Sequence, residues 1–321
     1  MAENALIELK WKRVTNRGKG TIHELPPNAR EVAPVPYRGR LWIVNPELST
    51  YVRGETGWRH LGKQGPKLWR ETALFGAEGW GALLLAGDRL IATSGAGRVF
   101  ELVEEEWTLV HRPDKQVPLW SGNTGWDPAG ERIVAWRGGA DGASRRSRAA
   151  RTTTYVFEGG AWRLAFEEKT PDVISKRVVF FDPGLQRIVR AWQEDVGVLL
   201  DDGWRVCRPE SYEADWQRVL TDPKTGEVLT EHPLEDVTEL ARLDVGRCDA
   251  VATVANMRDE GTGKGFASWY DATLRTVFYE DLGDPRLAFS VDLGPAFEAA
   301  RKLGPRTQPG AAGRPKASKK K

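Results

Sequence analysis

Four tryptophans set the strongest constraint on this chain. Trp58, Trp107, Trp162 and Trp204 stand 49, 55 and 42 residues apart, and each follows a short turn and opens an alternating stretch such as Trp107-Thr108-Leu109-Val110. Seven residues before them lie Tyr51, Phe100, Tyr155 and Gly197, so three of the four units carry an aromatic at the same offset. The segments between, among them Arg53-Gly54-Glu55-Thr56-Gly57 and Glu158-Gly159-Gly160, read as hairpin connections. A period of this length is the mark of a repeat architecture.

A second hairpin precedes the first in each unit. Asp127-Pro128, Asp182-Pro183 and Asp222-Pro223 each introduce a β-branched run, and Asp271-Ala272 repeats the plan; the four aspartates are 55, 40 and 49 residues apart, in phase with the tryptophans. Asp at a turn start bonds its own downstream backbone and Pro presets the next φ, so these turns are specified locally. Two hairpins per unit make a four-stranded sheet that cannot bury both faces alone, which is the signature of a propeller blade. Six units follow, at about 35–63, 79–112, 120–167, 174–208, 215–256 and 265–292. The last is one strand short, whereas Leu6 to Trp11 reads as a strand with no blade of its own. The expectation is that this N-terminal strand completes the last blade and closes the ring, removing the open edges of a linear array. Residues 1–300 then form one domain, with a short helix at 294–303.

The pattern resembles the kelch-type β-propeller family, in which a Gly-Gly doublet ends the second strand and an aromatic and a Trp mark the third and fourth. Gly138-Gly139, Tyr155 and Trp162 match all three, and Tyr51 with Trp58 and Phe100 with Trp107 match the aromatic pair. The doublet shrinks to Gly95 in the second unit and is missing from the first, fourth and fifth, and the fifth has no Trp near Arg247. The resemblance covers residues 35–208 well and 215–292 loosely. It implies an all-β, six-bladed kelch-like propeller with four-stranded blades. It also implies that turns between second and third strands share one face with the inter-blade connections, and that this face takes partners. Such propellers host unrelated functions, so the fold alone assigns none.

Composition supports short segments over long helices: the 321 residues include 34 Gly and 19 Pro. No apolar run approaches the roughly 18 residues needed to span a bilayer. Charges occupy Met1 to Arg13 where a signal peptide needs an apolar stretch, so a cytoplasmic protein with no membrane partner is expected. Cys207 and Cys248 are the only cysteines, too few for a disulfide framework or a Cys-based zinc site. Arg301, Lys302, Arg306, Arg314, Lys316, Lys319, Lys320 and Lys321 give the last 21 residues a charge of +8, which leaves −6 on the rest of a chain whose total is +2. The stretch 304–321 is expected to be a disordered, solubilising basic tail; nucleic-acid contact through it is the lesser reading, because the body is acidic.

The residues offer little for catalysis. His23, His60, His111 and His232 fall in different places with no ligand spacing, and Gly261-Thr262-Gly263-Lys264-Gly265 lacks the phosphate-loop spacing. Asp201-Asp202 and Glu104-Glu105-Glu106 sit in tight turns as solvated charges. No catalytic residue, metal ligand or cofactor is therefore assigned, and the chain reads as a binding module in preference to an enzyme. The partner-binding candidates lie on the loop face: Trp69, the basic loop residues Arg145, Arg146, Arg148 and Arg151, Tyr212 in an inter-blade stretch, and the acidic pair Glu235 and Asp236. Aromatic and Arg residues on exposed loops are the usual anchors of protein interfaces. The expected function is noncatalytic protein binding as an intracellular adaptor or scaffold; the alternative is an enzyme or a carbohydrate- or small-molecule-binding propeller using the central pocket.

Overall fold

A computed structural model describes residues 6–14, 26, 34–44, 49–54, 57–61, 80–115, 117, 119, 124–137, 150–170, 177–192, 195–207, 218–244, 247–257, 266–281 and 288–306. The chain begins with β1 (Ile7–Leu9) and β2 (Lys12–Arg13) and then runs through six antiparallel sheets. Blade 1 is β3 (Val35–Tyr37), β4 (Arg40–Val44), β5 (Thr50–Gly54) and β6 (Gly57–His60). Blade 2 is β7 (Trp80–Ala86), β8 (Arg89–Ser94), β9 (Val99–Val103) and β10 (Glu106–His111). Blade 3 is β11 (Thr124–Asp127), β12 (Arg132–Arg137), β13 (Ala150–Glu158) and β14 (Ala161–Thr170). Blade 4 is β15 (Arg177–Asp182), β16 (Arg187–Trp192), β17 (Asp195–Leu200) and β18 (Gly203–Cys207). Blade 5 is β19 (Arg218–Thr221), β20 (Val228–Pro233), β21 (Val237–Asp244) and β22 (Arg247–Ala255). Blade 6 takes β23 (Phe266–Asp271), β24 (Thr276–Asp281) and β25 (Ala288–Asp292) from the end of the chain and β2 from its start, in the order β2-β25-β24-β23. This is a six-bladed β-propeller closed by its N-terminal strand. The stretch Leu6 to Trp11, expected to complete the last blade, goes elsewhere: β1 pairs parallel with β22 as a fifth strand of blade 5, and the two residues of β2 after it close blade 6.

Inner strands pack side by side around the ring, with β7 against both β3 and β11, and β15 against β11 and β19. The repeated tryptophans join neighbours at the outer ends. Trp107 of blade 2 donates its indole N–H to Thr50 Oγ1 of blade 1 at 2.9 Å, Trp162 of blade 3 to the Gly97 carbonyl of blade 2 at 2.7 Å, and Trp204 of blade 4 to Thr154 Oγ1 of blade 3 at 2.7 Å. Trp11, just before β2, donates to the Ala255 carbonyl of blade 5 at 2.8 Å and so performs the same task for blade 6.

The repeat's one missing aromatic has a packing reason. Gly197 lies directly across from Arg190, whose guanidinium is sandwiched between the Trp136 and Trp204 rings, 4.6 Å from each, and bonded to Glu168 Oε2 at 2.5 Å. A Cβ at position 197 would stand 2.6 Å from Arg190 Nε. The wedged guanidinium cannot move aside, so glycine replaces the aromatic.

The four aspartates anchor the turns between first and second strands. Asp127 Oδ1 accepts from the Ala129 and Gly130 N–H groups, Asp182 Oδ1 from Gly184 and Leu185, Asp222 Oδ1 from Lys224, and Asp271 Oδ1 from Thr273 and Leu274. The second oxygen of each meets an arginine. Arg132 serves Asp127 within blade 3, Arg275 of blade 6 approaches Asp222 of blade 5 at 3.6 Å, and Arg53 of blade 1 bonds Asp271 of blade 6 across the closure.

The partner of Asp182 comes from an unexpected place. After β25 the chain forms helix α1 (Gly294–Lys302), whose buried Ala296, Phe297 and Ala300 join the core of blade 5; among the described residues no helix is long and apolar enough to cross a membrane. Arg242 of β21 caps it, donating to the Ala300 and Gly304 carbonyls at 2.8 and 2.7 Å. Arg306 then enters the groove between blades 4 and 5, bonding Asp182 and, at 2.7 Å, Glu227 Oε1. Residues 304–306, assigned by composition to the tail, are thus a docked strap, because the buried Asp182 and the partly exposed Glu227 supply what the segment's own composition lacks; the rest of the tail lies outside the described residues. Burial pushes the Asp182 carboxyl up, and Arg306 with the Leu185 and Gly184 N–H groups pulls against that.

Two measurements check this account. Arg306→Ala, by leaving the buried Asp182 without its counter-ion and Glu227 with Arg242 alone, is expected to cost about 3–5 kcal/mol in urea unfolding, whereas removal of residues 307–321 leaves the midpoint unchanged. Gly197→Ala is expected to cost about 1–3 kcal/mol by overpacking, an effect that vanishes if Arg190 is first replaced by Ala.

Candidate functional site

The described turns between second and third strands, 95–98 and 234–236, lie at the end of the blades where each fourth strand finishes. Most of the candidates read from the sequence, Trp69, Arg145, Arg146, Arg148 and Tyr212, lie outside the described residues. Arg151 belongs to β13, paired across from Lys169 on β14. The expected basic loop from Arg137 to Arg151 is therefore shorter than its charge pattern suggested, because the Thr-rich run after Arg151 extends the strand back to Ala150.

Glu235 and Asp236 are exposed at the tip of the β20–β21 connection. Their backbone is tightly held. Leu234 N–H donates to the Val237 carbonyl at 2.8 Å, and Asn256 of the neighbouring strand end donates from its backbone to the Asp236 carbonyl and from Nδ2 to the Leu234 carbonyl, at 2.9 and 2.7 Å. Thr238 Oγ1 donates in turn to Asn256 Oδ1 at 2.8 Å. The acidic tip is a fixed feature with two carboxylates, and the half-exposed Leu234 stands beside them.

Next to this tip a cavity of about 220 Å³ runs down the seam between blades 5 and 6. Leu240 and Val254 wall it from blade 5, and Val277 and Val291 from blade 6. Pro233, Asn256 and Met257 bound its loop-face end. On the axial side Arg218 donates twice to Glu231, Nε to Oε2 at 2.8 Å and Nη2 to Oε1 at 3.0 Å, a bidentate pair that leaves neither charge uncompensated. On the outer side stand Trp11 and Tyr279, with ring centroids 5.6 Å apart and tilted by 52°. Tyr279 hydroxyl donates to the Met257 carbonyl at 3.3 Å. Of these, only the acidic tip was singled out from the sequence. Trp11 lay in a stretch read only as a strand, and Arg218, Asn256 and Tyr279 carry no motif; the phase of Trp11 relative to a sixth blade was the signal available.

A histidine lies under the tip. His232, fully buried on β20, shares a 2.7 Å hydrogen bond between Nε2 and Thr230 Oγ1. Burial lowers its pKa from 6.5 to about 3, so it is neutral in the folded chain at neutral pH. Among the described residues no group of three His, Cys, Asp or Glu is placed to hold a metal ion. A second cavity, of about 260 Å³, opens on the opposite face between blades 3 and 4, where Asp127 and Arg132 already serve their turn and Arg187 and Asp201 line the wall.

No protein-family model and no curated protein matches the sequence. Solved structures match at low identity. A structure described as YCF48 bound to D1 peptide is 11% identical, with 90% of this chain and 99% of that chain covered and a TM-score of 0.44. TolB from Acinetobacter baumannii is 9% identical over 77% of this chain and 60% of that one, at 0.42. An auxiliary nutrient-binding protein from Bacteroides thetaiotaomicron is 10% identical over 81% and 68%, at 0.48. At these scores the six-bladed assignment rests on the strand pairing itself.

The His232 environment makes a prediction with a definite sign. Its folded pKa lies below its unfolded value, so the unfolded chain binds the extra proton and stability is lost as pH falls from about 6.5 towards about 3. Urea unfolding is expected to give about 2 kcal/mol less stability at pH 5 than at pH 7 from this group, and His232→Gln is expected to flatten that part of the profile.

Proposed function

We propose that this chain is a noncatalytic protein-binding propeller, an intracellular adaptor or scaffold that engages its partner through the loop face around the seam of blades 5 and 6. The observation that carries the reading is an exposed acidic tip, Glu235 and Asp236, held on a clamped backbone beside a cleft walled by Leu240, Val254, Val277 and Val291. Interfaces draw their affinity from apolar anchors in a preformed recess with charges at the rim. A rigid rim lets the partner bind without an ordering cost. The kelch-like character of the repeat belongs to this reading; Tyr51 and Trp58, Phe100 and Trp107, and Tyr155 and Trp162 fall on the third and fourth strands of blades 1 to 3.

Affinity capture from native extract at physiological salt tests it, using the full chain, a form lacking residues 307–321, and the double variant Glu235→Lys with Asp236→Lys. The expected result is one stoichiometric protein held by the first two and lost by the third. If nothing is retained, the adaptor reading falls, and the central pocket becomes the place to screen glycans and metabolites.

A further inference from the structure

The seam of blades 5 and 6 differs from the other blade junctions in what closes it. Its outer wall is Trp11, a residue brought from the far end of the chain, bonded to Ala255 across 244 positions of sequence. The strand that follows Trp11 is only two residues long, and both are exposed. Behind Trp11, side chains that would normally interdigitate leave a cavity of about 220 Å³. The recess opens to solvent, so a side chain from outside can enter it without the core parting. A dry apolar cavity of about 150 Å³ is enough to hold a benzene molecule.

We propose that this seam is a pocket for one aromatic side chain, carried on a partner protein segment with Lys or Arg beside it, and that filling it tightens closure of the ring. The proposal rests on the binding-module reading above and gives its partner a chemistry. Leu240, Val254, Val277 and Val291 form walls suited to an apolar group, and the tilted Trp11 and Tyr279 rings offer edge-to-face contact to a third ring. Arg218 and Glu231 neutralise one another, so the interior does not call for a charged ligand. The rim does: Glu235 and Asp236 add two negative charges at the loop-face end, where a basic neighbour of the aromatic residue would lie. Because Trp11 is both wall and clasp, a ring seated against it adds contacts that exist only when the N-terminal segment is docked. Ligand binding and ring closure are then linked by mass action.

Titration of the full chain with acetyl-Lys-Phe-Lys-amide, and with the counterpart in which Phe is Ala, tests this. The readouts are the Trp11 indole N–H resonance, identified by its loss in Trp11→Phe, and hydrogen exchange over residues 7–13. The Phe peptide is expected to shift that resonance and to slow exchange in proportion to occupancy; the Ala peptide should do neither. Ser268→Leu and Val254→Phe, which narrow the cavity, are expected to weaken the Phe peptide at least about tenfold, while Glu235→Gln with Asp236→Asn weakens it in a salt-dependent way. An unmoved Trp11 resonance in the unmodified chain overturns the pocket, whatever the filled variants do. Binding of free indole without binding of the peptide also overturns it, in favour of a small-molecule site. A partner captured from extract equally well by Ser268→Leu would sink this pocket and leave the adaptor reading standing; peptide binding with no captured protein would do the reverse.

Discussion

Every blade of this ring is finished by its neighbour. A four-stranded sheet has two apolar faces and a twist that prevents it from covering both, so each sheet here is stable only when sandwiched. The recurring indole N–H bond from an outer strand to the preceding blade fixes how that sandwich is registered. Trp107, Trp162 and Trp204 make it within the continuous chain, and Trp11 makes it across the closure. Where the fifth unit has no such Trp, β1 lies along its outer edge and Leu9 is buried in the shared core. The one physical requirement, a covered face, is thus met by two different devices.

The turns between first and second strands follow a different logic. There the aspartates organise their turns with one oxygen and recruit an arginine with the other, and three of the four arginines come from another part of the chain. Buried ion pairs of this kind contribute little net stability compared with apolar packing, but each is costly to break by halves. Their effect is to specify which surfaces meet. Arg306 illustrates the point: a residue in a Gly- and Pro-containing stretch is held in one place because it pairs with the buried Asp182 and shares Glu227 with Arg242.

Local chemistry is what could be read in advance. The turn aspartates, the phase of the tryptophans, the six units and the need for an N-terminal strand to close the ring all depend on residues a few positions apart, or on a count, and all are found in the structure; the stretch Leu6 to Trp11 named for that closure lies along blade 5 instead, and Lys12 and Arg13 after it close blade 6. Pairing between distant residues left no such trace. Nothing near Arg306 in sequence announces Asp182, and nothing near Gly197 shows that Arg190 occupies the space of its missing ring. The seam cavity was equally hidden, since its walls come from both ends of the chain. Charge runs, by contrast, pointed to a longer loop before β13 than the strand pairing allows, because β-propensity in Thr152-Thr153-Thr154 outweighs the cluster of arginines.

The order in which the chain is made gives the shared blade a further meaning. The partner of Lys12 and Arg13 is the strand Ala288–Asp292, which leaves the ribosome long after them. Until then Lys12 and Arg13 have no edge to join, and the growing array carries an unpaired strand at its advancing end. Closure therefore waits for β25 and joins distant parts of the chain in one step. Shortened products that stop before β25 would remain open rings with exposed sheet edges, the form of chain that aggregates and is recognised by chaperones and proteases.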